Sequence, residues 1–378
     1  MSVSISEEAP RTKRRRINLG FERFSGLYLW AVFIITFGLW VPDEFLTTST
    51  LHSVAAQQAV TGMVGLAILI PLAAGLYDLS VGATANLCGI TTIILMNGHH
   101  YAVVPAILVA LAIGALIGCV NAFIVVALRV NSFVATLGMS SILAATQVIV
   151  TSNSQPIPPI STAWNNLTQT TVLGFQIVFL YLIVLGFVLW WLTAHTPAGR
   201  YLYAIGGNTE AARLSGVRVE RYTAMALILS ATIAAFAGVM FSSLNGPSLN
   251  FGATLLLPAF AAAFLGSTQL TPGRFNVWGT LLAIYVLATG VQGLQLVSGA
   301  SWLSDMFNGV ALIIAVALSI QRSPSRHWAR IKARFRRGGA GGSTEPPGFD
   351  DAGGPVSAGA VAQEAVSIEA PQAPPEQD

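Results

Sequence analysis

The sequence predicts an all-α polytopic membrane protein, with about ten transmembrane helices and both termini cytoplasmic. Three observations lead there. Apolar residues make up 54% of the 378 residues and charged residues only 9%, where soluble domains run to roughly a quarter charged. The apolar residues gather into runs of about 20, the length that crosses a hydrocarbon core. Lys and Arg fall between alternate runs, on one side only.

Ten candidate spans follow in order: roughly 25–41, 50–74, 79–97, 102–128, 131–151, 172–194, 222–244, 254–268, 275–297 and 302–320. Backbone polar groups find no water in lipid, so these segments must be helices, or pieces of helix packed within protein. A membrane barrel would show alternating segments of about ten residues, and the unbroken run Val178–Trp190 excludes it. From Ser25 to Gln321 there are only six acidic and six basic residues, as expected where an unpaired charge in hydrocarbon is costly.

Orientation follows from the basic residues, which concentrate in cytoplasmic loops. With the N-terminus inside, the inner segments are 1–24, 75–78, 129–130, 195–221, 269–274 and 321–378. They hold 6, 0, 1, 4, 1 and 7 basic residues, which accounts for all 19 in the chain. The runs Arg11–Arg16 and Arg330–Arg337 flank the apolar body and read as juxtamembrane anchors rather than a nucleic-acid surface. The first apolar stretch lacks a small-residue cleavage site and reads as an uncleaved helix.

Three parts result: a cytoplasmic basic segment 1–24, a membrane domain 25–321 containing a long cytoplasmic loop 195–221, and a cytoplasmic tail 322–378. From about residue 338 the tail holds eight Gly, six Pro, seven acids and no base. Such a segment cannot bury enough apolar area to offset its ordering entropy, and it is expected to be disordered.

Some spans carry breaks. Pro71, Gly75 and Asp78 interrupt the second run, and Pro258 is expected to split the eighth. Gly62, Gly65, Gly82, Gly89, Gly114 and Gly118 suit close helix packing. Cys88 and Cys119 form no C-x-x-C and read as small buried hydrophobes. His99 and His100 read as a solvated loop pair.

Several chemistries are missing. There is no G-x-x-x-x-G-K-[ST], no H-E-x-x-H and no G-x-S-x-G, so no catalytic residue, metal site or cofactor is expected. Asp78 and Asp305 are the only acids near membrane depth, and both fall near span ends. A proton- or ion-driven carrier ordinarily needs ionisable groups inside its spans. The uncharged donors and acceptors in the spans, Gln57, Gln58, Asn86, Asn121, Gln147, Gln292 and Asn308, are candidates for lining a polar path. Interhelical hydrogen bonding, worth about 0.6 kcal/mol each on average, is the alternative role of each. Asp78 reads as an anchor for the helix break.

In the 195–221 loop, Asn208 or Thr209 can cap a short helix from Glu210 to Ser215. Glu210 stands at its positive end and Gly216 stops it. Glu210-Ala211-Ala212-Arg213 through Gly216 resembles the EAA-x-x-x-G loop of ABC importer permeases. The wider string Ala204-Ile-Gly-Gly-Asn-Thr-Glu-Ala-Ala-Arg-Leu-Ser-Gly-Val217 is similar to permeases of the ribose/xylose/arabinose type. Asp78-Leu79-Ser80-Val81-Gly82 resembles that family's I-D-L-S-V-G. Gly273-Arg274, followed by Val277-Trp278-Gly279-Thr280, resembles its G-G-R-G-S-V-W-G-T. Leu76-Tyr77 and Pro272 stand where the family has glycine, which bears on the solute more than on the fold.

The resemblance covers about residues 25–321. It implies a permease domain in the bacterial inner membrane, moving a sugar or sugar-like solute. The implied partners are separate ABC ATPase subunits, a second permease subunit, an extracytoplasmic solute-binding protein and the surrounding lipid. Nucleosides or branched-chain amino acids as the solute, or a facilitator that needs no ATPase, are the alternatives.

Overall fold

The structure, a computed structural model, describes residues 24–300 and 302–322. The basic segment 1–23 and the tail from 323 lie outside the described residues. The path begins with α1 (Ser25–Trp40), a single turn α2 (Pro42–Phe45) and the long α3 (Thr48–Ala73). After a break come α4 (Val81–His99), α5 (Val103–Ala122) with a π-helical continuation Phe123–Ala127, and α6 (Ser132–Thr151). A short α7 (Thr162–Gln169) and a hairpin of β1 (Thr171–Val172) and β2 (Phe175–Gln176) lead to α8 (Ile177–His195). Then follow α9 (Pro197–Gly207), α10 (Thr209–Leu214), α11 (Val219–Asn245), α12 (Phe251–Gly266), α13 (Val277–Ser298) and α14 (Trp302–Arg322).

Among the described residues, eight helices are long and apolar enough to cross a membrane: α3, α4, α5, α6, α8, α11, α13 and α14. Two shorter apolar helices, α1 and α12, have 16 residues each. The ten expected spans are therefore ten apolar helices. Side-chain caps start several elements: Thr47 accepts from the Thr50 N–H, Asn131 from Phe133, Ser161 from Trp164, and Asn276 from Gly279. Each satisfies a backbone donor that the first helical turn leaves orphaned.

The helix α3 runs through the centre, and every residue from Ala59 to Ala73 is buried. Neighbouring helices approach each other closely because the contact residues are small, which is how helices associate where lipid removes the hydrophobic drive between them. On α5, Gly114 and Gly118 form a G-x-x-x-G face. A Cβ on Gly114 would stand 2.8 Å from the Ala231 carbonyl oxygen of α11, and one on Gly118 2.9 Å from that of Leu227. Farther along α11, a Cβ on Gly238 would overlap the Ala85 carbonyl of α4. The outer faces carry large apolar residues instead: Val104, Leu108 and Leu116 on α5, Ile142 and Ile149 on α6, Phe187 and Trp191 on α8, Ile313 and Ile314 on α14. A soluble protein rarely exposes so much contiguous apolar surface; here it faces hydrocarbon.

Several expectations need correcting. Pro258 does not split its span; α12 runs through it. The span expected from residue 172 begins at Ile177, because 171–176 turn back as a hairpin. Leu173 and Gly174 both have positive φ, the type I′ geometry that fits hairpin twist. The 195–221 loop is mostly helical: Pro197 at the first position and the Thr196 hydroxyl, which accepts from Gly199, start α9 before the expected short helix. Cys88 is buried as expected, but Cys119 is exposed on the outer side of α5, where a thiol can face lipid like any small apolar group. His99 ends α4 and His100 caps it in a left-handed conformation; neither belongs to a metal-binding cluster among the described residues.

The α4–α11 contact yields a prediction. Gly238→Val places atoms into backbone that cannot yield, and overpacking costs about 1–3 kcal/mol even where side chains can adjust. The melting temperature of the detergent-solubilised protein should fall by several degrees. Gly138→Val, whose added Cβ meets nothing within 4 Å, should leave it unchanged.

Candidate functional site

The break between α3 and α4 is built from a sequence that cannot stay helical. Gly75 takes φ +76°, and seven residues, Ala74–Ser80, run outside helix. Their backbone donors still need partners in a water-poor interior, and α6 supplies them. Ser132 Oγ accepts from the Tyr77 N–H at 3.1 Å, and Thr136 Oγ1 accepts from Leu79 N–H at 3.0 Å. Asp78 is fully buried. Its Oδ1 accepts from the Ser80 N–H at 3.0 Å and the Ser80 hydroxyl at 2.6 Å, while its Oδ2 accepts from the Ser230 hydroxyl of α11 at 2.9 Å. Asn121 of α5 donates to Ser80 Oγ at 2.9 Å. A buried carboxylate is expensive unless hydrogen-bonded; here three donors from two elements hold it. Four residues after Asp78, Gly82 lies against the backbone of Gly252, where α4 meets the start of α12 with no room for a Cβ on either.

The second construction is the corner made by α9, α10 and the 267–276 turn. The Asn208 Oδ1 accepts from the Ala211 N–H at 3.0 Å and starts α10. The helix ends with Gly216 N–H donating to Arg213 O and Val217 N–H to Ala212 O, at 3.0 and 3.1 Å, the paired bonds of a Schellman stop. Gly216 has φ +84° and open space around it. Ala212 is buried, whereas Glu210, Ala211, Arg213 and Leu214 face outward. Arg213 pairs with Glu220 at 3.0 Å and with Glu210 at 3.8 Å; both pairs are exposed and worth at most about 1 kcal/mol.

This corner touches the break. Gly206, at the end of α9, lies so close to the Ala73 carbonyl and the Gly75 backbone that a Cβ would overlap them. From the same helix, the Tyr203 hydroxyl donates to Phe275 O at 2.5 Å, and the Arg274 guanidinium lies 3.9 Å above the Tyr203 ring. Burial pushes the Tyr203 phenol above its ordinary pKa, against the pull of Arg274. Gly273, at φ +85°, shapes the turn. Asn276 ties it together, donating to the carbonyls of Gly266, Gln269 and Arg274. Gly279 lies against Gly266 where α13 meets α12. Trp278 stacks edge-on with Phe187, centroids 4.9 Å apart. Ser230, Tyr203 and Asn276, which the sequence did not single out, join these pieces together with Gly206 of the quoted 204–217 string.

The seven polar candidates separate into different places. Asn86 and Gln147 meet on the wall of a cavity of about 270 Å³ between α4, α6 and the start of α12. Gln58 and Asn308 line a smaller one of about 120 Å³ between α3, α12, α13 and α14. The two cavities lie on either side of α12, which contributes Leu255 and Pro258 to one and Gly252, Ala253 and Leu256 to the other. Asn121 belongs to the Asp78 cluster. Gln292 lines a mostly apolar groove with Trp30 and Thr289, and Gln57 is exposed. No ionisable side chain lines either α12 cavity.

A bundle of ten apolar helices, with uncharged cavities on both sides of a short helix and no nucleotide-binding motif, defines a membrane transport component that contains no motor. The family model described as the permease component of the branched-chain amino acid transport system matches residues 50–316, and the chain belongs to this family. It is therefore a permease subunit of the ATP-binding-cassette importers and a multi-pass membrane protein, homologous to permeases of the bacterial inner membrane. Similar proteins include the D-allose transport system permease protein AlsC of Escherichia coli (strain K12), 25% identical over 84% of this chain and 97% of that one. The autoinducer 2 import system permease protein LsrC of Enterobacter sp. (strain 638) is 30% identical over 80% and 89%. The ribose import permease protein RbsC of Escherichia coli (strain K12) is 30% identical over 72% and 86%. No solved structure gives a significant match.

The Asp78 cluster generates a second prediction. Ser230→Ala removes one donor from a buried carboxylate and should destabilise the protein by about 1.5–3 kcal/mol, read as a lower melting temperature in detergent. Thr232→Ala, whose hydroxyl bonds to Ile228 O within its own helix α11, should change it little.

Proposed function

We propose that this permease imports a neutral, sugar-like solute and is driven through α10 by an ATPase subunit docked on its cytoplasmic face. The observation that carries this reading is the pair of contacts made by α9. That helix bears the exposed, doubly capped α10 at one end, and touches both the α3–α4 break through Gly206 and the α12–α13 turn through Tyr203. A push on α10 thus reaches the α3–α4 break, whose Leu79 lines the larger cavity, and the turn that ends α12, the helix lining both cavities. Arg129, Arg200, Arg213, Arg218 and Arg274 belong to the connections at this end of the bundle and Arg221 to the first turn of α11, which supports placing this end in the cytoplasm.

In this mechanism the ATPase dimer holds Glu210–Gly216 differently in its closed and open states. That differential contact biases the bundle between inward- and outward-facing arrangements. A second permease subunit completes the path, and an extracytoplasmic binding protein delivers the solute. Glu210, Ala211 and Arg213 form the docking face; Ala212 and Gly216 fix its shape. Ribose, allose and autoinducer 2 are named for the relatives, and the uncharged lining of both cavities supports a neutral solute here. The family description favours branched-chain amino acids as the second reading. Those zwitterions would need charged or aimed dipolar partners, and the lining supplies no charge.

The test is reconstitution of the permease with its ATPase and binding protein in proteoliposomes. Glu210→Lys and Gly216→Trp should each insert normally while uptake per ATP hydrolysed falls by about tenfold or more, equivalent to 1.4 kcal/mol of lost coupling. Normal coupled uptake in both variants, or full-rate uptake without any ATPase, would overturn the reading.

A further inference from the structure

A groove on the lipid face lies between α1, the start of α3 and α13. The helix α1 packs chiefly on α13, and beside α3 it leaves a cavity of about 260 Å³. The walls are mostly apolar, with Ile34, Leu46, Leu51 and Val54, and the deep end is the hydrogen-bonded pair Trp30 and Thr289. The groove belongs to the half of the bundle opposite the arginine-bearing connections, because α3 begins here and ends at the break beside α9. From Thr289 to Ser298, where α13 ends, is nine residues. At 1.5 Å per residue that is about 14 Å, close to half of a hydrocarbon core of roughly 30 Å. The groove therefore has the depth of one leaflet.

Its rim is continuous with the faces that meet hydrocarbon: Ile34, Leu46 and Leu51 are 40%, 61% and 58% exposed. Helices that associate in lipid prefer small contact residues. These are large, so the slot suits a thin, flexible acyl chain better than a second helix. Charge then selects the lipid. Asp43 and Glu44, both exposed on α2, stand just ahead of the lining residues Phe45 and Leu46. Neither forms an ion pair among the described residues. No Lys or Arg occurs from 24 to 128 or from 275 to 321. A headgroup at this mouth meets two acids and no base, which attracts an ammonium and repels a net negative charge. On the wall, the Gln292 amide has no hydrogen-bond partner among the described residues and can donate to an ester carbonyl. The 16-residue α1 is short for a bilayer, and the lipid beside it sits correspondingly deeper.

We propose that this groove binds one aminophospholipid of the adjoining leaflet. One acyl chain fills the slot between α1 and α3, the ethanolamine ammonium pairs with Asp43 and Glu44, and Gln292 donates to an ester carbonyl. The lipid completes the packing of α1 onto the bundle. The site is independent of the solute and of the motor, so it stands or falls apart from the importer reading.

The experiment is native mass spectrometry of the full-length permease in detergent, titrated with dioleoyl phosphatidylethanolamine or dioleoyl phosphatidylglycerol. The wild type should bind one phosphatidylethanolamine about tenfold or more tightly than phosphatidylglycerol. Asp43→Asn combined with Glu44→Gln should level the two lipids. Leu51→Trp, which fills the slot, should weaken phosphatidylethanolamine binding by about tenfold or more, whereas Leu108→Trp on the open face of α5 should leave it unchanged. Equal binding of both lipids by the wild type, a preference that survives the double substitution, or undiminished binding in Leu51→Trp overturns the site. Loss of dimers rather than of lipid in Leu51→Trp also overturns it and gives the groove to a second copy of the chain. The double substitution lies on an exposed turn and decides the question if Leu51→Trp fails to fold.

Discussion

A backbone that leaves helical geometry inside a lipid-embedded bundle must find a hydrogen-bond partner for every group it frees. Much of this architecture answers that constraint at one place, the seven residues between α3 and α4. Ser132 and Thr136 from α6 satisfy the amides, and Asp78 draws in Ser80 and Ser230. Asn121 secures Ser80 from α5. The helices α5, α6 and α11 are thus tied to one segment too polar to be lipid-facing. The expected interruption at Pro71 does not occur, since α3 runs through it to Ala73; the chain leaves helical geometry just beyond, where Gly75 takes φ +76°.

The same end of the bundle explains how a motorless chain can be moved. The helix α9 is tied to the break by close backbone contact at Gly206, and to the α12–α13 turn by Tyr203 with Arg274 and Phe275. Backbone-to-backbone contacts have no soft side chain between them to absorb displacement. Packed interfaces of this kind shift between discrete arrangements rather than deforming continuously. The two cavities share α12 as their partition, so a tilt of that one helix changes both.

Much of this was legible in the sequence, for identifiable reasons. Span count followed from apolar run length and from the one-sided placement of Arg129, Arg200 and Arg274, because lipid imposes both. The α10 cap and stop were legible because Asn208 and Gly216 are strong local signals; observed bounds of Thr209–Leu214 differ by one residue at each end. What sequence could not supply was non-local. Ser230 is one serine among many until α11 brings it to Asp78, 152 positions away. The separation of Gln58 from Asn86 by α12 is a matter of packing, as is the diversion of Asn121 into the Asp78 cluster. Pro258 was misread because a proline midway along a membrane helix is tolerated where the surrounding protein makes good the bond it deletes, and α12 continues past it.

Two helices are short. At 1.5 Å per residue, the 16 residues of α1 reach about 24 Å, less than the roughly 30 Å of a typical hydrocarbon core. The buried C-terminal half of α12 hides part of its own deficit inside the protein, but α1 sits at the periphery with most of its surface outward. Lipids beside α1 must therefore compress or let headgroups dip, at a cost of a fraction of a kcal/mol per Å of mismatch. Acyl-chain length thereby becomes a variable acting on this protein: a thicker bilayer strains the α1 edge first, and the strain passes to α13 through the Trp30–Thr289 hydrogen bond.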